Sequence, residues 1–263
     1  MIPKIIHYVW VGNNEKPEIV LKCIESWKKY CPDYEIIEWN NNSLREIDNK
    51  YVSQAFECKK WAFVSDYLRL YALKNFGGFY FDTDLEITNR LDNFLDKDFV
   101  TGFEEFNGKV APITALMGAK KDNKIISDLL SEYKDIDFIK NGKMDTTTNV
   151  TRITKYFEQE YNYTSKNKAD ETFLLRENSI IYPVYYFCLK KEGKINYSIH
   201  HYCGSWVDGY SRKNILSIGK NKLVRFRRRK NINNEEFPLL KNEEITNKIK
   251  ILNYVICLVK EQL

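Results

Sequence analysis

No apolar run in this sequence is long enough to span a bilayer, which argues against a transmembrane protein. No basic-then-apolar leader precedes Met1-Ile2-Pro3-Lys4, which runs straight into a strand-like segment. A secretory signal is therefore not expected, and the chain reads as cytoplasmic. The six cysteines (Cys23, Cys31, Cys58, Cys188, Cys203 and Cys257) form no CxxC pair and fit no zinc module. They read as reduced thiols. Repeats and low-complexity linkers are also missing, which sets aside solenoids and beaded domains. Histidine is scarce, with only three in the chain.

What remains is a chain of 263 residues, enough for one large α/β domain, or one domain with a short appendage, to fold without staples. Hydrophobic residues make up 43% and charged residues 29%, ordinary values for a globular protein. Aromatics are high at 14%; most serve a core, and the excess suits a sugar or base site. The net charge of +5 is local. Lys220, Lys222, Arg225, Arg227, Arg228, Arg229 and Lys230 crowd one acid-free stretch, and without them the remainder is slightly acidic.

Lys4 to Val11 reads as a buried strand, and a helix opened by Pro17 follows through about Tyr30. Tyr34 to Trp39 is a second strand. This strand–helix–strand spacing predicts a parallel α/β unit. Gln54 to Phe76 reads as one long helix with Trp61, Val64 and Leu68 on its apolar stripe, ended by Gly77-Gly78. Phe79-Tyr80-Phe81 is a short strand that stops at Asp82-Thr83-Asp84. Further strands are expected at 99–103, 113–117, 179–182 and 199–202, and further helices at 124–134 and 149–161.

Three Asp-x-Asp triplets occur, at Asp82/Asp84, Asp96/Asp98 and Asp135/Asp137. Only the first follows an apolar strand behind a Gly-Gly turn. Its acids then sit at a strand's carboxyl end, where open α/β sheets bind ligands. Two aspartates at a backbone turn suit a divalent cation with oxygen ligands, such as Mn²⁺ or Mg²⁺, and such a cation neutralises a departing diphosphate. The alternative is an acidic turn with no ligand. Asp66 and Arg69 lie three residues apart on one helix face, as a surface ion pair or as a sugar pocket in which Arg69 fixes the carboxylate. Of the adjacent His200 and His201, alternation lets at most one reach a shared site. Gly204 would let backbone approach a phosphate closely.

The stretch AFVSDYLRLYALKNFGGFYFDTDLEI, residues 62–87, resembles the sugar-binding region of family 32 glycosyltransferases. These include bacterial capsular-polysaccharide transferases and fungal mannosyltransferases. The opening IPKIIHYVWVG is similar to that family's start, and the central stretch also resembles the catalytic core of clostridial glucosylating toxins. HYCGSW, residues 201–206, resembles the metal-binding histidine motif of family 8 galactosyltransferases. The resemblance covers residues 1 to about 210. It implies a GT-A fold, Rossmann-like with a mixed central sheet, that binds a nucleotide-sugar, and a retaining transfer that gives an α-linkage. By position it implies that Trp10 stacks on the base, Asp66 and Arg69 hold the donor sugar, and Tyr80 sits by ribose or phosphate. Asp84 would bind the metal, Asp82 the ribose or a metal-bound water, His201 the metal, and Trp206 the leaving phosphate. The Thr-Gly-Pro that many members carry on the acceptor side is replaced by Thr147-Thr148-Asn149.

A retaining transfer runs by double displacement or by same-face attack. The first needs a carboxylate at the anomeric carbon. Glu104 and Glu105 are the candidates, but they read more naturally as an exposed acidic turn. Same-face attack is favoured, with the departing phosphate taking the acceptor proton. The expected division is a GT-A domain over 1–218 and a basic, amphipathic tail over 219–263. In that tail Ile245, Ile249, Leu252, Ile256, Val259 and Leu263 form a helical stripe flanked by Lys248, Lys250 and Lys260. Such a helix packs on the domain or lies on a membrane surface near lipid-linked acceptors. A UDP-sugar donor, a glycan or lipid-linked acceptor in surface-polysaccharide synthesis, and no nucleic-acid partner are therefore expected. The competing readings are a protein-modifying glucosylating effector and a non-enzymatic nucleotide-sugar or nucleic-acid binding protein.

Overall fold

Lys4 to Val9 is too apolar for an edge, and strand β1 (Ile5–Val9) accordingly pairs in parallel on both sides. The computed structural model describes residues 1–106, 109–164, 166, 168–203, 210–218, 221–228, 243–251 and 254–261. Contacts divide it into two units, Met1–Tyr202 and Cys203–Leu263. In the first unit β1 is followed by α1 (Glu18–Tyr30), β2 (Glu35–Trp39), α2 (Lys50–Glu57), α3 (Trp61–Phe76), β3 (Gly78–Phe81) and β4 (Leu85–Ile87). Then come β5 (Phe99–Phe106), β6 (Lys109–Ala119), α4 (Lys124–Ser131), β7 (Ile139–Lys140), β8 (Lys143–Met144) and α5 (Asn149–Tyr161). β9 (Phe173–Leu174), β10 (Ser179–Tyr182), α6 (Val184–Phe187) and β11 (Ser198–His200) complete it.

Seven strands form one sheet in the order β2-β1-β3-β6-β5-β10-β9. β2, β1, β3, β5 and β10 run one way, while β6 and β9 run against them. This is the mixed α/β sheet expected. β4 and β11 pair separately, Leu85 opposite His200. That small ladder brings residues 198–202 to the segment that leaves β3.

Pro17, with φ −63°, is already set for a helix start, and α1 buries Val20, Cys23, Ile24 and Trp27 along one stripe. Helix α3 is different: it is buried nearly all round, and its buried set includes Asp66 and Arg69. The turn from α3 into β3 is made by Gly77 and Gly78, both at positive φ. A Cβ on Gly78 would lie 2.6 Å from the Ile5 carbonyl oxygen, so only glycine lets β3 pass this close to β1.

Two expectations are corrected. The single helix over 54–76 is two helices, separated where Lys59 takes the left-handed conformation at φ +56°. A lysine gives no signal of such a stop, which usually falls to glycine. Among the described residues the helical tail is also absent, and Leu252 and Leu263 of the expected stripe lie outside them. The second unit consists, among the described residues, of a four-stranded antiparallel sheet, β12 (Tyr210–Ile218), β13 (Asn221–Arg228), β14 (Glu243–Ile251) and β15 (Tyr254–Glu261). Its order is β12-β13-β15-β14. The stripe misled because a bulge between Ile245 and Asn247 shifts the register: Ile245 pairs with Val259 and Ile249 with Ile256, so apolar residues at a helical spacing leave opposite faces of the strand. Ile251 pairs with Tyr254 in the β14–β15 ladder. The unit begins at Cys203, earlier than the expected 218/219 boundary, because strand β12 already belongs to it.

Candidate functional site

The carboxyl ends of β1 and β3 lie side by side in the sheet, and the chain leaves β3 at Asp82, whose N–H still donates to the Ala115 carbonyl (2.8 Å). A turn follows, closed by Leu85 N–H to the Asp82 carbonyl (3.0 Å). Asp82 and Asp84 therefore sit on either side of a bend.

Behind them Arg69 reaches forward from α3. Its guanidinium lies 3.0 Å from Asp66 and 3.3 Å from Asp82, and donates to the Thr114 carbonyl (2.9 Å) and to Ser65 Oγ (3.1 Å). It also stacks over the Tyr80 ring at 4.5 Å, while Tyr80 Oη donates to Asp82 Oδ1 (2.8 Å). Burial works against the Arg69 charge, but Asp82, Tyr80 and Asp66 outweigh it and hold the group cationic. For Asp66 burial dominates and lifts its carboxyl to about 6, against the pull of Arg69. A buried charge bridged by two carboxylates is costly to break, because removing one member strands the others without water. The surface-pair reading of Asp66 and Arg69 is set aside, since both are under a tenth exposed.

The histidine expectation changes. His201 turns to Glu86, with Nε2 2.8 Å from Oε2. His200 is the residue that faces the acids, its Nε2 3.4 Å from Asp84 Oδ1. Ligand atoms of Asp82, Asp84 and His200 all lie within 4.8 Å of one another. Burial would lower the His200 pKa, yet the Asp84 bond, Cys188 and Asp82 together raise it to about 10. Its Nδ1 is sealed from solvent without a hydrogen-bond partner. Two carboxylate oxygens and one imidazole nitrogen are a donor set that Mn²⁺ accepts, and Mg²⁺ accepts the oxygens.

Trp10 follows β1 at the same sheet edge, half-buried, its indole N–H fixed to the Asn14 carbonyl (2.7 Å) and Lys16 Nζ 5.8 Å from its ring. Trp206 lies outside the described residues. Glu104 was undervalued from sequence. It sits at the carboxyl end of β5, half-buried, and burial lifts its carboxyl to about 7 beside the charges of His200 and Asp82. Its neighbour Glu105 is exposed, as expected. The third histidine, His7, is purely internal: Trp39 Nε1 donates to its Nδ1 (3.2 Å), so its Nε2–H donates to the Gly77 carbonyl (2.8 Å). The cavity lined by Ile37, Trp39, Asn42, Ser43, Glu46 and Phe76 contains none of the site groups.

A mixed sheet thus carries an acidic bend at its carboxyl edge beside a buried Asp–Arg pair. Residues 17–101 match the family described as a glycosyltransferase sugar-binding region containing a DXD motif, and the chain is a glycosyltransferase. It is 24% identical over 190 residues to an uncharacterized glycosyltransferase of Acanthamoeba polyphaga mimivirus, which covers 70% of this chain and 74% of that one. It is 32% identical over 102 residues to inositol phosphoceramide mannosyltransferase 3 of Schizosaccharomyces pombe, which covers 36% of this chain and 27% of that one. Among solved structures, the PaToxG glycosyltransferase aligns with TM-score 0.46 at 20% identity, over 61% of this chain and 70% of that one. The glycosyltransferase domain of the YGT toxin aligns with TM-score 0.35 at 13% identity, over 64% and 70%.

Proposed function

We propose that the protein is a retaining, metal-dependent hexosyltransferase that moves a sugar from a nucleoside-diphosphate donor, UDP-linked by preference, onto a glycan or lipid-linked acceptor. The observation that carries this is the run of ion pairs from Asp66 through Arg69 to Asp82, whose carboxylate lies within 4.8 Å of the ligand atoms of the Asp84–His200 pair. One end is suited to hydroxyl groups and the other to a cation that carries a diphosphate. Asp82, Asp84 and His200 would hold Mn²⁺ or Mg²⁺, which when bound neutralises the leaving diphosphate. Trp10 supplies a flat apolar face for the base and Tyr80 lies by the ribose or phosphate. Trp206 is assigned to the leaving phosphate on the motif alone. The lipid-linked acceptor finds support in the fungal relative, an inositol phosphoceramide mannosyltransferase. Transfer in surface-polysaccharide synthesis is the fitting role. The basic strand β13 offers anionic lipid a contact, without the helix first expected.

Catalysis then rests on positioning and charge neutralisation. Same-face attack needs no protein nucleophile, and the departing phosphate accepts the acceptor proton. Asp84→Ala should lower donor hydrolysis and transfer by roughly 10²–10⁴-fold, as expected when a cation's contribution of several kcal/mol is lost. Assay with Mn²⁺ across UDP-glucose, UDP-galactose, UDP-N-acetylglucosamine and GDP-mannose tests it. Turnover that survives the substitution would refute the metal-dependent reading.

A further inference from the structure

Seven buried side-chain polar atoms lack a hydrogen-bond partner among the described residues, and five of them belong to four residues gathered round Asp66. They are Tyr51 Oη, Tyr133 Oη, Asn149 Nδ2 and Oδ1, and Arg152 Nε. Tyr51 and Tyr133 pack edge to face at 5.0 Å, and the Arg152 guanidinium lies 5.0 Å over the Tyr133 ring. Asn149 opens helix α5, and its N–H donates to Asp66 Oδ2 (3.2 Å), while Arg69 takes Oδ1. Asn149, Tyr51 and Tyr133 are each at most 2% exposed. Unpartnered polar atoms this deep are rare, and their concentration at one spot suits water or the hydroxyl groups of a ligand.

The chemistry of the gap is mixed. An amide supplies both donor and acceptor, two phenols do the same, and a guanidinium N–H donates only. Neighbouring hydroxyls on a pyranose ring, each both donor and acceptor, satisfy such a set. A phosphate does not, because the Asp66 carboxylate faces it. Access follows from the same contacts: a hydroxyl that takes Asp66 Oδ2 from the Asn149 N–H frees the first turn of α5, and with it the Asn149 amide.

We propose that Tyr51, Tyr133, Asn149 and Arg152 form a specificity-determining subsite that reads the hydroxyl groups of the donor's hexosyl ring, reached when the start of α5 lifts from Asp66. This deepens the transferase reading and rests on it. Subsites of this kind discriminate strongly, because the wrong epimer leaves buried groups unpaired.

The experiment uses the full chain with Mn²⁺ and compares wild type with Tyr133→Phe and Tyr51→Phe. Melting temperature, affinity for UDP alone, and donor-hydrolysis kinetics with UDP-glucose and UDP-galactose are measured. The expected result is an unchanged or higher melting temperature, since an unpaired hydroxyl is removed. UDP affinity should stay within about twofold, while KM for the preferred sugar nucleotide rises roughly tenfold or more and the preference between the two epimers shrinks. Asn149→Asp, which keeps the size of the side chain, should show the same split. Unchanged sugar kinetics in these variants would overturn the subsite while leaving the transferase intact. A lowered melting temperature with UDP and sugar nucleotide weakened together would also overturn it, in favour of a structural role. A wild type inert to every sugar nucleotide fails the transferase reading itself, and is seen before any variant is compared.

Discussion

His200 and His201 differ by one position and by almost everything else. The first faces Asp84 from the end of β11, and the second is held by Glu86. Alternation along a strand guaranteed that only one would reach the acids, but the face is set by the β4–β11 register, Leu85 opposite His200, which the local sequence does not encode. His200→Ala should weaken Mn²⁺ affinity, measured with UDP by titration calorimetry, by roughly tenfold or more, while His201→Ala leaves it within about twofold. The reverse order would restore His201 as the ligand. Glu104 was misjudged for a related reason. Its acidity suggested a surface turn, and only the fold shows that Glu104 is half-buried and feels the charges of His200 and Asp82. Asp66 and Arg69 were legible, because a three-residue spacing places them together on any helix. Glu104→Gln should lower turnover by no more than about tenfold if attack is from the same face, and by 10³-fold or more if Glu104 is a nucleophile.

At the scale of elements, the α1, β3 and α5 segments were readable because their patterns fit one period only, and α5 runs Asn149–Tyr161 as expected. The break at Lys59 and the strands after residue 209 were not. One depends on a left-handed lysine, the other on a bulge that breaks the strand's period of two between Ile245 and Asn247. The packing of β1 against the α3–β3 turn carries its own prediction. His7 is buried there in neutral form, and burial lowers its pKa from 6.5 to about 4 despite the Gly77 bond. Below pH 6.5 the unfolded chain gains a proton that the folded one refuses. Stability present above pH 6.5 is thus lost as pH falls towards 4, by about 3 kcal/mol in all. His7→Gln should flatten that part of the melting-temperature profile between pH 6.5 and 4, whatever it does to stability at neutral pH. A profile as steep as wild type would show that other groups set the acid limit.

Across the whole molecule, no helix among the described residues is long and apolar enough to cross a membrane. All described groups of the candidate site belong to the first unit, Met1–Tyr202. A chain ending at residue 209, which retains Trp206, should therefore keep Mn²⁺-dependent binding of UDP and donor hydrolysis within a few-fold. Transfer to a lipid-linked acceptor should fall much further if the β12–β15 sheet serves the acceptor. Parallel loss of hydrolysis and transfer would assign that sheet to stability instead.

The glycine bend between α3 and β3 has a wider consequence. Residues 66–84 make up a single covalent arm, with the carboxylate–guanidinium pair near one end and the acidic bend at the other. The angle between its two limbs is locked by backbone that admits no side chain at Gly78. An exchange of donor preference between related enzymes should accordingly transplant this arm entire. A graft joined within it would misalign the proposed grips on sugar and on cation in one stroke.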